Sequence, residues 1–300
     1  MSFSGVLVPV ATPFHPDLSP DKAAFLGLCQ KLLDQGAGGL AVFGTTSEAN
    51  SLGLAEKRDL LDYLVDNGIP PEKLMPGTGT CALPDTIAAT SHAVQRGCGG
   101  VLLLPPFYYK GVSDDGLFDA IAKTIEGVDS PNLRVYLYHI PPVAQVPFSL
   151  DLVGRLKDAF PQTVVGLKDS GGDWAHTEAL LTAYPDLQIF PGSEVFLLQA
   201  LRLGGAGCIT ATANVNLPMI RAVFENWQGP DADEKQAAAT AVRQAVQNAG
   251  PLVPVIKSLL AHWTGQVDWS NVRPPLTTAQ PEVGAQLAGN LAQLGVVYPS

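Results

Sequence analysis

The chain has 300 residues, 46% of them hydrophobic, and 18 Lys plus Arg against 28 Asp plus Glu leave a formal net charge of −10. A surface this acidic repels phosphate backbones and anionic lipid, so a nucleic-acid partner or a membrane-surface role is excluded as an expectation. No apolar run approaches the roughly 18 residues that cross a bilayer, and the opening "MSFSGVLVPVATPFHPD" lacks the regions of a signal peptide.

In chain order, short β-rich runs alternate with segments of helical period. "GVLVPVAT" reads as a strand, followed by "PDKAAFLGLCQKLLDQG", where Phe25, Leu28, Leu32 and Leu33 share one face between Pro20 and Gly36. "GLAVFG" is the next strand, and "LAEKRDLLDYLVDNG" the next helix, with Leu60, Leu61, Leu64 and Val65 on its apolar side. Strands are then expected at "LMPGTG", "GVLLLPP", "RVYLYHI", "TVVGLKD", "LQIFPGS" and "GAGCITAT", with helices such as "SLDLVGRLKDAF" between. This repeated alternation implies right-handed βαβ units and a parallel sheet. Eight such units predict an α/β fold, a closed (β/α)8 TIM barrel over residues 1–225. The absence of G-x-G-x-x-G after the first strand removes the usual dinucleotide signal of the open alternative. Near Trp227 the alternation stops, and "DADEKQAAATAVRQAVQNAG", "PLVPVIKSLLAHWTG" and "TAQPEVGAQLAGNLAQLG" read as a helical extension, residues 226–300, packed on the barrel. Cys29, Cys81, Cys98 and Cys208 form no C-x-x-C pair and read as buried thiols of a cytoplasmic protein.

A barrel carries its active site at the carboxyl ends of its strands. Those ends read "GTTSE", "GTGTC", "PPFYYK", "YHIPP", "KDSGG", "PGSE" and "TATAN": hydroxyls and glycines, two lysines and, of five histidines, only His139. No carboxylate pair suits glycoside chemistry and no His cluster offers metal ligands. Strand parity puts Val164, Gly166 and Lys168 on one face and Val165 and Leu167 on the other, provided no bulge intervenes. With Val165 and Leu167 under the helices, Lys168 points into the barrel mouth beside Tyr138 of the preceding strand.

An ordinary lysine is neutral in only about one molecule in a few thousand at pH 7, so a nucleophilic one must be desolvated or placed near positive charge. A neutral amine there can attack a ketone and form an imine that withdraws electrons from the adjacent carbon. Each residue also has a plain structural reading. Lys168 can pair with Asp169, Tyr138 can pack in the core, "GTTSE" can cap a helix through Thr46 or Ser47, and Ser193 and Glu194 can simply open the next helix. Their coincidence on one rim favours a site for a small 2-keto acid.

"GTTSEANSL", "YLYHIP" and "VVGLKDSGGD" also carry a resemblance. Over about its first 215 residues the sequence is similar to the dihydrodipicolinate synthase / N-acetylneuraminate lyase family of class I aldolases. The resemblance implies a lyase in which Lys168 forms a Schiff base with pyruvate and Tyr138 transfers protons. It assigns Thr45 and Thr46 to the pyruvate carboxylate, with the Thr46 hydroxyl linking Tyr138 to Tyr108 (or Tyr109) of a neighbouring copy in a homotetramer or dimer, and Ile209 to the pyruvate pocket. No cofactor or metal is implied beyond the covalent imine. Two departures bear on the substrate. Ser47 replaces the glycine of the pattern G-T-T-G-E, at a cost in strain if that position needs a positive φ. Val143 stands where lysine-pathway synthases carry an arginine for the semialdehyde carboxylate. Ser193 and Glu194 are then candidates to meet substrate hydroxyls. The expected activity is cleavage or formation of a C–C bond in a 2-keto-3-deoxy sugar acid or similar 4-hydroxy-2-oxo acid, from pyruvate and an aldehyde. Dihydrodipicolinate synthesis and a non-catalytic keto-acid-binding barrel are the rivals.

Overall fold

The computed structural model describes residues 2–296 and Tyr298. Seven parallel strands are regular: β1 (Gly5–Val8), β2 (Gly39–Leu40), β3 (Val101–Leu103), β4 (Val135–His139), β5 (Val164–Asp169), β6 (Gln188–Pro191) and β7 (Gly207–Ile209). β1 pairs with β2 and β7, and β3 to β6 pair in order. Two seams close these arcs into a barrel. At one, Ala206 N donates to Ile189 O at 3.0 Å. At the other, residues 74–77 bridge both neighbours singly, Leu74 to Leu40 and Gly77 to Leu102.

The predicted strand "LMPGTG" is thus a pair of bridges. Pro76 has no N–H to give the ladder, although its carbonyl accepts from Leu102 N at 2.9 Å. Helices α1 (Lys22–Asp34), α2 (Leu54–Asp66), α3 (Leu83–Gln95), α4 (Asp114–Val128), α5 (Pro141–Ala144), α6 (Leu150–Ala159), α7 (Trp174–Ala183), α8 (Leu197–Arg202) and α9 (Ala213–Glu225) follow the strands. The expected apolar face of α1 is seen, with Phe25, Leu28, Cys29 and Leu32 buried. Asp21 caps this helix, its Oδ1 accepting from Ala24 N at 2.9 Å, a contact worth ~1 kcal/mol. Cys81 is exposed, contrary to the expectation of buried thiols, because it lies in the loop before α3.

Parity on β5 departs from simple alternation. Register with β4 runs Val135↔Val164 and then Tyr136↔Gly166, so Val165 is an extra residue in a bulge. Val164 therefore packs with the helix-side core and Val165 against the barrel interior, the reverse of the sequence reading. Beyond the bulge the alternation resumes, with Leu167 outward and Lys168 inward opposite Tyr138. Beneath them the interior is filled by Tyr136, Phe190, Leu7, Met75 and Leu102. Tyr136 lies edge-on to Phe3 and Phe190, at 5.7 and 6.1 Å between centroids. Its ring occupies the space of the absent Gly166 side chain, where a Cβ would come within 2.6 Å. That floor lifts Lys168 and Tyr138 to the mouth.

Three further helices follow, α10 (Ala232–Asn248), α11 (Leu252–Thr264) and α12 (Pro281–Gln293). α10 is anchored to the loop after β6, where Gln236 Nε2 donates to Glu194 O at 2.9 Å and Gln236 Oε1 accepts from Leu198 N at 3.0 Å. No described helix is long and apolar enough to cross a membrane.

Candidate active site

Lys168 is the fifth residue of β5, paired in register with Tyr138 on one side and Phe190 on the other. Its Nζ donates to the Tyr138 hydroxyl at 3.3 Å and lies 4.3 Å from the ring centroid. Both residues are buried. Among the described residues Lys168 has no ion-pair partner. Asp169 points to the opposite face, where it accepts from Gly171 N at 2.9 Å, Thr177 Oγ1 at 2.7 Å and His176 Nδ1 at 2.9 Å. The simple Lys168–Asp169 pair is therefore absent. Burial opposes ionisation of Asp169, but those hydrogen bonds outweigh it and hold the carboxyl below the usual range.

The "GTTSE" turn brings in hydroxyls. Thr45 Oγ1 lies 3.2 Å from the Tyr138 hydroxyl. Thr46, which the sequence reading placed on Tyr138, is a buried neighbour lining the same cavity; the turn presents Thr45 instead. Nor does Ser47 carry strain. The left-handed residue is Glu48, with φ 56°, while the Ser47 hydroxyl donates to Val10 O at 2.5 Å. Glu48 is held by Lys257 Nζ at 2.6 Å and Arg273 N at 2.8 Å. Rather than meeting a helix dipole, its carboxylate ties the turn to α11 and to the loop before α12.

Lys168, Tyr138, Thr45 and Thr46 open into a cavity of about 520 Å³, which Ile209, Ser193, Ile140 and Val143 also line. This is a small-molecule size. Ser193 uses its hydroxyl to accept from Val195 N at 3.3 Å. Glu194 does not face the cavity. It is 0% exposed, both carboxylate oxygens receive the hydroxyls of Thr210 and Thr212, and Arg243 Nη1 stands 3.6 Å away. The reading of Glu194 as a contact for substrate hydroxyls is thereby corrected. Tyr108 and Tyr109 are 73% and 74% exposed and stand outside the cavity, their rings edge-on at 5.3 Å. Their loop is pinned by Lys110, whose Nζ donates to Ala144 O at 2.7 Å.

Two groups escaped the sequence reading. The first is Arg243, which lines the cavity from α10 together with Gln247. Its signal was present in "QAAATAVRQAVQN", since Ala239, Val242, Arg243 and Val246 form one buried stripe. The second is a cluster of His139, Asp169 and His176, the only described group able to offer three ligand atoms to a metal ion. It is contrary to the expectation of no such cluster. The two imidazoles are stacked, 4.2 Å between centroids and 15° between planes. Nitrogen lone pairs lie in the ring planes, so stacked rings do not converge on one ion at the ~2.0–2.1 Å zinc requires. His139 Nδ1 accepts from Phe148 N at 3.0 Å, leaving the neutral ring's proton on Nε2. Burial pushes the His139 imidazole down to about 4, against the pull of Asp169. The hydrogen bond to Asp169 raises that of His176. This group braces the end of β5, its hydrogen bonds running to α7.

A parallel barrel with an amine, a phenol and hydroxyls converging at its carboxyl-end mouth defines the lyase and aldolase class. The chain belongs to the Dihydrodipicolinate synthetase family, whose pattern it matches over residues 2–294. It is 35% identical over 285 residues to an uncharacterized DapA-like lyase of Chloroflexus aurantiacus, covering 94% of each chain. Its fold superposes on the dihydrodipicolinate synthase of Agrobacterium tumefaciens with a TM-score of 0.89, at 34% identity over 97% of this chain and 99% of that one. It is equally similar in fold, TM-score 0.89, to YagE of Escherichia coli K12 in complex with pyruvate, at 27% identity over 99% of this chain and 100% of that one. YagE is a putative 2-dehydro-3-deoxy-D-gluconate aldolase.

Proposed function

We propose that the chain is a Schiff-base pyruvate aldolase, cleaving or forming the C–C bond of a 2-keto-3-deoxy sugar acid or a similar 4-hydroxy-2-oxo acid. The observation that carries this reading is the Lys168 amine, free of any carboxylate partner among the described residues and 3.3 Å from the Tyr138 hydroxyl inside the cavity. In the synthetic direction the neutral amine adds to the pyruvate C2 carbonyl, and water leaves to give an iminium. Tyr138 relays the protons of these steps, with Thr45 at 3.2 Å orienting its hydroxyl. Loss of a C3 proton gives an enamine, which adds to the aldehyde carbon, and water then releases the product and regenerates the amine. Thr45 and Thr46 receive the pyruvate carboxylate, Ile209 bounds the pocket, and Ser193 meets the aldehyde portion. Tyr108 is proposed to complete the proton path of a neighbouring copy, which its exposure on this chain permits. Supporting a sugar-acid substrate are the similarity to YagE and an uncharged Val143, 61% exposed on the cavity wall.

The test is pyruvate release from 2-keto-3-deoxygluconate and related 4-hydroxy-2-oxo acids, followed by coupled reduction to lactate. Consumption of pyruvate with aspartate semialdehyde is run beside it. Release of pyruvate from the hydroxy-oxo acids is expected. Efficient use of the semialdehyde alone would instead establish the synthase reading.

A further inference from the structure

We infer that the aldehyde half of the substrate carries a second carboxylate, received by Arg243. The inference rests on the aldolase reading and narrows it, making the substrate a 4-hydroxy-2-oxo diacid.

Arg243 sits in the buried stripe of α10, yet its side chain forms part of the cavity wall that also holds Lys168. Only 10% of that side chain is exposed. Its present contacts leave donors to spare. Nη1 donates to Thr210 Oγ1 at 3.3 Å, while Nε is buried with no hydrogen-bond partner. The nearby carboxylate pairs with its charge without taking up the Nε–H. Glu194 Oε2 is 3.6 Å from Nη1, beyond hydrogen-bonding distance, and both Glu194 oxygens are occupied by threonine hydroxyls. A buried guanidinium with an idle N–H is costly, and a planar carboxylate is the group that best matches its fork.

The neighbourhood points the same way. Beyond Arg243 and Gln247, the wall contributed by the C-terminal segment holds Pro251, Leu252, Val253 and Pro254, apolar residues that leave Arg243 as its charged group. Arg243 and Lys168 line the same cavity, Arg243 from α10 and Lys168 from β5. A substrate with an anion at each end would set one carboxylate at the Thr45 and Thr46 end and the other at Arg243. This position differs from that of Val143, which borders the cavity from α5. The missing arginine at Val143 and the present one at Arg243 thus imply a different path for the chain of the second substrate, not an uncharged one.

The test compares aldehydes matched in size and differing in charge, glyoxylate with glycolaldehyde and succinic semialdehyde with butanal, each with pyruvate. For the wild-type protein the acid of each pair is expected to have the higher kcat/KM by ~10–100-fold, the value of one charge-assisted contact. In Arg243→Met that ratio falls to within a few-fold, through KM of the acids, and Arg243→Lys lies between. A merely structural role for Arg243 is separated by Arg243→Met/Glu194→Gln. That double variant removes the unpaired carboxylate and recovers thermal stability, while the preference for acids stays lost. Equal use of acid and neutral aldehyde by the wild type, or an intact preference in Arg243→Met, overturns the inference. If pyruvate also gives no borohydride-reducible adduct, the aldolase reading fails first and the inference falls with it. An adduct without a preference for acids sinks the inference alone.

Discussion

The Tyr138 hydroxyl stands between two groups, 3.3 Å from Lys168 Nζ and 3.2 Å from Thr45 Oγ1. Tyr138→Phe deletes that oxygen and keeps the ring, so packing in the barrel interior survives. Two neutral or singly charged hydrogen bonds bound the stability loss at ~1–3 kcal/mol. Loss of a positioned proton-transfer group should lower the rate ~10²–10⁴-fold. Thr45→Val removes the orienting contact, worth ~2- to 10-fold in kcat, and one contact to the pyruvate carboxylate, which shows in KM. Because Thr45 acts on the proton transfer through Tyr138, Thr45→Val added to Tyr138→Phe should cost nothing further in kcat. Exchange of the pyruvate methyl protons into D2O, followed by NMR, reads this step without requiring the aldehyde. Multiplicative losses of kcat in the double variant, or a greater loss of kcat in Thr46→Val than in Thr45→Val, would refute the Thr45–Tyr138 relay.

Lys257→Met leaves Glu48 buried without its ammonium, and should destabilise the chain by ~3–5 kcal/mol in urea titration; a loss under ~1 kcal/mol would show that Arg273 alone holds the turn. His139 gives a pH signature. Its folded value is pushed down to about 4 from the ordinary 6.5 by burial, so between those values the unfolded chain binds a proton that the native one does not. Stability should therefore fall as pH drops from about 6.5 to about 4, by up to ~3 kcal/mol. His139→Asn, whose side-chain oxygen can still accept from Phe148 N, should flatten that acid limb in pH-dependent melts. The raised His176 acts on the other side, its contribution being complete below 6.5 and lost only as pH rises through its folded value.

The barrel was legible because each β-rich run and amphipathic helix reports its own buried face, as in α1 and α2. What a single strand's pattern does not report is its register with neighbours. The bulge at Val165 exchanged the faces of Val164 and Val165 yet left Lys168 inward, because alternation resumed at Gly166. Lys168, Tyr138 and the "GTTSE" hydroxyls were found from strand ends and Ile209 from the resemblance, but the choice of Thr45 over Thr46 depends on the backbone of a turn containing a left-handed Glu48. Glu194 was misassigned because its partners, Thr210, Thr212 and Arg243, lie on later elements. Arg243 and Lys257 were overlooked for a similar reason. A charged residue in a helix stripe shows that something must be paired, and only the tertiary fold shows with what.

The most direct test of the central claim is borohydride reduction in the presence of pyruvate, followed by intact-mass and peptide mass spectrometry. One reduced pyruvyl adduct per chain, confined to the Lys168 peptide and absent in Lys168→Ala, is predicted. No adduct with pyruvate or any other 2-keto acid, or an adduct on a different lysine, would contradict it.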